Sequence, residues 1–144
     1  WIGEFLGISG IRKAQTDKKF IRMMKQLLLV GLGGGIGSIF RYLTSLLTTK
    51  YYANEFPLAT FLVNIIGCFI IGLLIGYFAN TTTDSNLKFL FITGFCGGFT
   101  TFSTFAAENI FLLQNQNYFT LIAYTLASVL VGFLAVGLGL MITK

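Results

Sequence analysis

Four long apolar runs, joined by polar connectors of eight residues or fewer, limit what this chain can become. They lie at about residues 26–49, 58–79, 87–113 and 118–143, each near the ~20 residues a helix needs to cross a hydrocarbon core. Connectors this short force neighbouring helices to pack antiparallel. The expected fold is therefore all-α and integral to the membrane, with four transmembrane helices in one compact domain. Composition agrees: 10% of residues are charged and mean hydropathy is +0.80, where an ordinary soluble domain carries roughly 25% charge. That leaves no room for a separate soluble domain.

Residues 1–23 read as a basic N-terminal extension and residues 24–144 as the four-helix domain. The extension holds Arg12, Lys13, Lys18, Lys19 and Arg22 but no apolar run long enough to span. It reads either as a membrane-surface amphipathic helix with Trp1, Phe5 and Ile8 toward lipid, or as a tail outside the native protein. A signal peptide fits badly, because charge follows the hydrophobic residues instead of leading them. With the extension included, Lys and Arg crowd the side of the N-terminus, with Lys50 and the embedded Arg41 toward the other end. The positive-inside rule then places both termini in the cytoplasm. Without it, the bias shrinks to Lys25, Lys88 and Lys144 against Lys50, and such a core could insert either way.

Enzyme chemistry finds no support: there is no histidine, no clustered metal-ligand set and no nucleophile–base pair. Cys68 and Cys96 sit in apolar runs without CxxC spacing and read as core thiols. The string GLGGGIG at 31–37 misses the GxGxxG register and follows no strand, so it is no nucleotide loop. Gly33 with Gly37, and Gly72 with Gly76, instead have the GxxxG spacing that lets membrane helices approach closely.

The third run is unusual. At its centre GFCGGFTTFSTF (94–105) packs three glycines and four hydroxyl residues into lipid-spanning sequence. A helix interrupted at that depth survives only if it is buried in protein or lines a cavity, so a small polar solute is expected to cross here. Beyond the break, Phe102 and Phe105 are three apart with Asn109 continuing their face, and Thr101, Thr104 and Glu108 form an adjoining stripe. A phenyl ring has a positive edge that can solvate a small anion without trapping it. Asn64, Ser103 and Thr104 can donate hydrogen bonds, and Tyr124 and Ser128 offer a second polar stripe. Neutral donors suit conduction, since an ion must leave as readily as it enters. Arg41 either holds anions in an aqueous vestibule or snorkels to the interface. Glu108 reads either as a proton-coupling acid or as an interfacial residue. Four short helices enclose little volume, so a dimer is expected to complete the pathway.

Taken in order, GGGIGSIFRY (33–42), TFLVN (60–64) and GFCGGFTTFSTF (94–105) resemble the CrcB/Fluc fluoride channels, over about residues 24–144. That resemblance implies an antiparallel, dual-topology homodimer in the cell (inner) membrane, with a broken third helix and two pores that export fluoride passively from the cytoplasm. It implies Phe102 and Phe105 as ring-edge fluoride ligands and Asn64 as a donor beside them. Ser103, Thr104, Tyr124 and Ser128 would supply polar lining, and Arg41 a vestibule. A structural sodium ion would sit on the backbone carbonyls of Gly97 and Thr100. Partners are then fluoride, membrane lipid and a second copy, with no nucleic acid. Two positions differ from the family's usual residues: Ala106 replaces a serine and Ala59 a glycine. The rival readings are a small multidrug-type proton-coupled exporter, which needs an acid where the first helix has Arg41, and a non-transporting membrane scaffold, which leaves the hydroxyl-rich third run unexplained.

Overall fold

The computed structural model describes residues 2–52, 54–81 and 85–143, with side chains from residue 15 onward. Among these residues every regular element is helical: α1 (Ile2–Tyr51), α2 (Leu58–Ala79), α3 (Ser85–Lys88), a π-helical segment (Phe89–Cys96), α4 (Gly97–Phe99), α5 (Phe102–Gln114) and α6 (Tyr118–Ile142). Four stretches are long and apolar enough to cross a membrane: Gln15–Tyr51, Leu58–Ala79, Ser85–Gln114 and Tyr118–Ile142. They contain the first three expected runs and all but the last residue of the fourth. Helix α1 continues without interruption through residue 23. The expected lipid face of Trp1, Phe5 and Ile8 lies outside the described side chains.

Apolar side chains point outward along the whole length of the bundle, among them Leu28, Leu47, Phe119 and Phe133. In water such a surface would aggregate; in lipid it is the solvated face. Since lipid tails are as apolar as leucine, the helices are held by close packing rather than by the hydrophobic effect. Glycine makes that packing possible. A Cβ on Gly33 would overlap the Leu90 carbonyl oxygen, and one on Gly37 the Phe95 carbonyl oxygen. Between α2 and α6, a Cβ on Gly72 would strike the Val136 carbonyl.

The two contacts on α1 are four residues apart, while their partners in the π-helical segment are five apart. One turn of α-helix thus lies against one turn of the wider π-helix, whose hydrogen bonds run i→i+5. Below it, α4 ends at Phe99. Thr100 (φ −76°, ψ 159°) and Thr101 (φ −149°, ψ 120°) are extended. Helix α5 then starts at Phe102 with Thr101 as its N-cap, the Thr101 side chain accepting from the Thr104 N–H at 3.3 Å. The Thr101 cap sets the restart of the helix at Phe102.

Candidate functional site

The extended pair Thr100–Thr101 is held open from α2. Asn64 Oδ1 accepts from the Thr101 N–H at 2.8 Å, and Asn64 Nδ2 donates to the Thr101 carbonyl at 3.1 Å. These two bonds fix the orientation of the Asn64 amide and leave its second N–H as the remaining donor. They also satisfy backbone groups that an interrupted helix would otherwise leave bare in lipid. The Thr101 N–H would close the i→i−4 bond on the Gly97 carbonyl if the helix ran on; here it is turned toward Asn64.

Beside this clamp a groove of about 450 Å³ opens on the outer face of the subunit. Asn64, Gly97, Thr100, Thr101, Phe102, Phe105 and Ser128 all contribute to its wall. Phe102 is 80% exposed, and its ring centroid lies 5.9 Å from that of Phe105. Phe105 in turn lies 5.1 Å from the ring of Tyr124, and Tyr124 lies 5.3 Å from Phe56, edge to face. A column of four rings therefore runs from the groove past the buried Tyr124 to the half-buried Phe56 in the connector before α2. Opposite the phenyl pair, the buried Ser128 hydroxyl has no hydrogen-bond partner among the described residues. Leaving such a group unsatisfied costs about 1–3 kcal/mol, and Ser128 is one of the residues lining the groove.

A second pocket of about 250 Å³ lies on the other side of the extended pair, lined in part by Ser38, Arg41, Thr60, Thr101 and Thr104. Arg41 is half-buried there, with Nη1 3.5 Å from the Thr100 carbonyl. Thr101 Oγ1 lies 3.1 Å from Thr104 Oγ1 and 3.2 Å from Ser103 Oγ, so three hydroxyls form one cluster at the start of α5.

The sequence-derived candidates are thus divided. Asn64, Phe102, Phe105 and Ser128 share the groove with Gly97 and Thr100. Arg41 and Thr104 belong to the second pocket, and Ser103 joins Thr104 through Thr101. Tyr124 lines neither: it is fully buried, and its hydroxyl donates to Glu108 Oε2 at 2.7 Å. Thr60 donates to Glu108 Oε1, also at 2.7 Å. Both carboxylate oxygens of Glu108 are therefore engaged by neutral donors from α2 and α6. Asn109 is likewise turned into the bundle, its Nδ2 donating to the Phe105 carbonyl and its Oδ1 accepting from Thr125. Sequence reasoning missed Thr60 as the partner of Glu108 and the double duty of Thr101. The only signal for Thr60 was its place one turn before Asn64.

Comparison with known proteins bears on what this groove handles. A family model described as CrcB-like protein, Camphor Resistance (CrcB), matches residues 28–140. The chain belongs to the CrcB family. Among its relatives, a protein of Azobacteroides pseudotrichonymphae named fluoride-specific ion channel FluC is 50% identical over 123 residues, covering 85% of this chain and 98% of its own. A protein of the same name from Flavobacterium psychrophilum is 48% identical over 122 residues, covering 84% and 98%. One from Ignicoccus hospitalis is 45% identical over 116 residues, covering 81% and 93%. Four candidate spans in a chain of the CrcB family make it a multi-pass membrane protein.

Proposed function

We infer that this chain is a fluoride-specific channel that lets the ion leave the cytoplasm passively. The observation that carries the reading is the meeting of the Phe102 and Phe105 rings, the Asn64 amide and the unpartnered Ser128 hydroxyl in one groove. Each presents positive edge or donor character without a formal charge. A small anion can exchange part of its hydration for these groups and still be released. Arg41 adds positive potential in the neighbouring pocket. The engaged carboxylate of Glu108 puts its charge into hydrogen bonds with Thr60 and Tyr124, away from the phenyl pair. Fluoride efflux from liposomes containing the purified protein, read with an electrode, is the test. Rapid fluoride release with chloride retained is expected; no fluoride flux, or equal passage of chloride, overturns the reading.

An antiparallel dimer completes the pathway. Phe102, Ser103 and Thr104 lie exposed within a spanning segment, where a polar patch facing lipid is costly. A second copy would cover the groove with the same face turned round, as a two-fold interface requires. The opposite orientation of the two copies rests on the family resemblance. Ser85→Cys in a Cys68→Ala/Cys96→Ala background should then react with an impermeant maleimide from both sides of the membrane. Labelling from one side only excludes an antiparallel homodimer.

The backbone at the break also fits a structural sodium ion. Gly97 is exposed at the groove, and its carbonyl is released from the i→i−4 ladder because the Thr101 N–H turns to Asn64. The Thr100 carbonyl, though approached by Arg41, keeps a second lone pair. Carbonyl oxygens at an unwound helix end are hard ligands of the kind that hold sodium in other membrane proteins. A cation on the Gly97 and Thr100 oxygens would supply fixed positive charge that ties the two breaks together at the subunit interface.

A further inference from the structure

One group of basic side chains lies apart from both pockets at the break. Lys18, Arg22 and Lys25 recur at i, i+4 and i+7 on α1 and so share one face of the helix. With Ile21, Ser85 and Asn86 they line a pocket of about 340 Å³ where α1 meets the start of the third span. Arg22 reaches across it, its Nη2 donating to Ser85 Oγ at 3.3 Å. That bond orients the guanidinium and leaves most of its five N–H donors available. Among the described residues, the nearest acid on α1, Asp17, stands about 100° round the helix from Lys18 and is not part of the pocket wall.

Depth narrows the choice of ligand. Residues 27–47 of α1 contain one charge, Arg41, and rise about 31 Å, matching a hydrocarbon core of ~30 Å. Lys25 therefore stands at the boundary of the core, with Arg22 about 5 Å and Lys18 about 11 Å further out. The headgroup layer spans roughly 5–8 Å on each side, so the three cations run from its inner edge to just beyond its outer one. Leu28, three residues toward the core from Lys25 and 69% exposed, offers an acyl chain an apolar surface beside this face.

We propose that Lys18, Arg22 and Lys25, with the Ser85 hydroxyl, bind the phosphate group of an acidic phospholipid at the membrane surface. The Arg22 fork matches two phosphate oxygens, and the lysines supply the charge that separates an anionic headgroup from a zwitterionic one. Free phosphate shares the recognised chemistry, so the test separates the two sources.

Native mass spectrometry of the full chain in detergent, with phosphatidylglycerol and phosphatidylcholine at equal concentration, reads the site directly. Phosphatidylglycerol should be retained about tenfold or more over phosphatidylcholine. Arg22→Gln and Lys25→Gln should each lower that retention about fivefold, while Lys50→Gln at the far end of α1 leaves it unchanged. Equal retention of the two lipids, or full retention in the Arg22→Gln/Lys25→Gln double variant, overturns the proposal. Displacement of the lipid by millimolar inorganic phosphate overturns its assignment to a lipid. All these substitutions are on the exposed helix surface, so the fold is not at stake, and lipid retention is read independently of fluoride conduction.

Discussion

Phe102→Ile lowers fluoride efflux by at least about tenfold while the protein stays folded. A tenfold loss corresponds to about 1.4 kcal/mol in the barrier, the size of contribution that a single aromatic contact makes. Isoleucine keeps the position apolar but has no polarised ring edge, so the substitution isolates electrostatics from hydrophobicity. Phe102 is the cleaner of the two rings to change, because at 80% exposure it supports little of the subunit's own packing. Phe105→Ile should slow efflux as well, and it should also cost stability, since its ring packs against Tyr124 at 5.1 Å. Efflux from liposomes and size-exclusion chromatography of the same preparations give the two readouts. Wild-type rates in both variants would remove the rings from the pathway.

Gly37→Leu produces a large loss of stability. A Cβ at Gly37 overlaps the Phe95 carbonyl oxygen and comes 2.8 Å from the Phe99 nitrogen. Both neighbours are backbone, so no side-chain rotation relieves the clash, and α1 must move away from the π-helical segment. Overpacking of this kind costs about 3 kcal/mol or more. Gly31→Leu is the control: nothing lies within 4 Å of a Cβ there, and the variant should unfold at the wild-type denaturant midpoint. Equal stability of Gly37→Leu and Gly31→Leu in detergent would show that α1 does not rely on this contact.

The spans were legible because length and apolarity are properties of contiguous sequence, and the bilayer sets both. The glycine pairs were legible for the same reason: close approach needs small residues at a fixed spacing. Partners across the fold were not. Thr60 and Glu108 are 48 residues apart, and nothing local to either says that a threonine hydroxyl will face that carboxylate. Tyr124 was read as part of a polar stripe because it lies four residues from Ser128; its hydroxyl points instead to Glu108, as the packing of α5 against α6 dictates. Asn64 was recognised as a donor, yet its engagement with the Thr101 backbone depends on where α2 meets the extended pair. Arg22 and Ser85 meet only because both stand at the same membrane surface.

The pairing of a four-residue step on α1 with a five-residue step in Phe89–Cys96 constrains how this protein can change over generations. Residues facing lipid can be exchanged freely among apolar types. Deleting one residue between Leu90 and Phe95 is another matter: the five-residue turn could absorb the loss only by tightening to the four-residue turn of ordinary α-helix. The narrower turn would change the backbone surface against which Gly33 and Gly37 pack. Insertions and deletions in this segment should therefore be purged, so that its length is constrained together with Gly94, where a Cβ would lie 2.9 Å from the Val30 carbonyl oxygen.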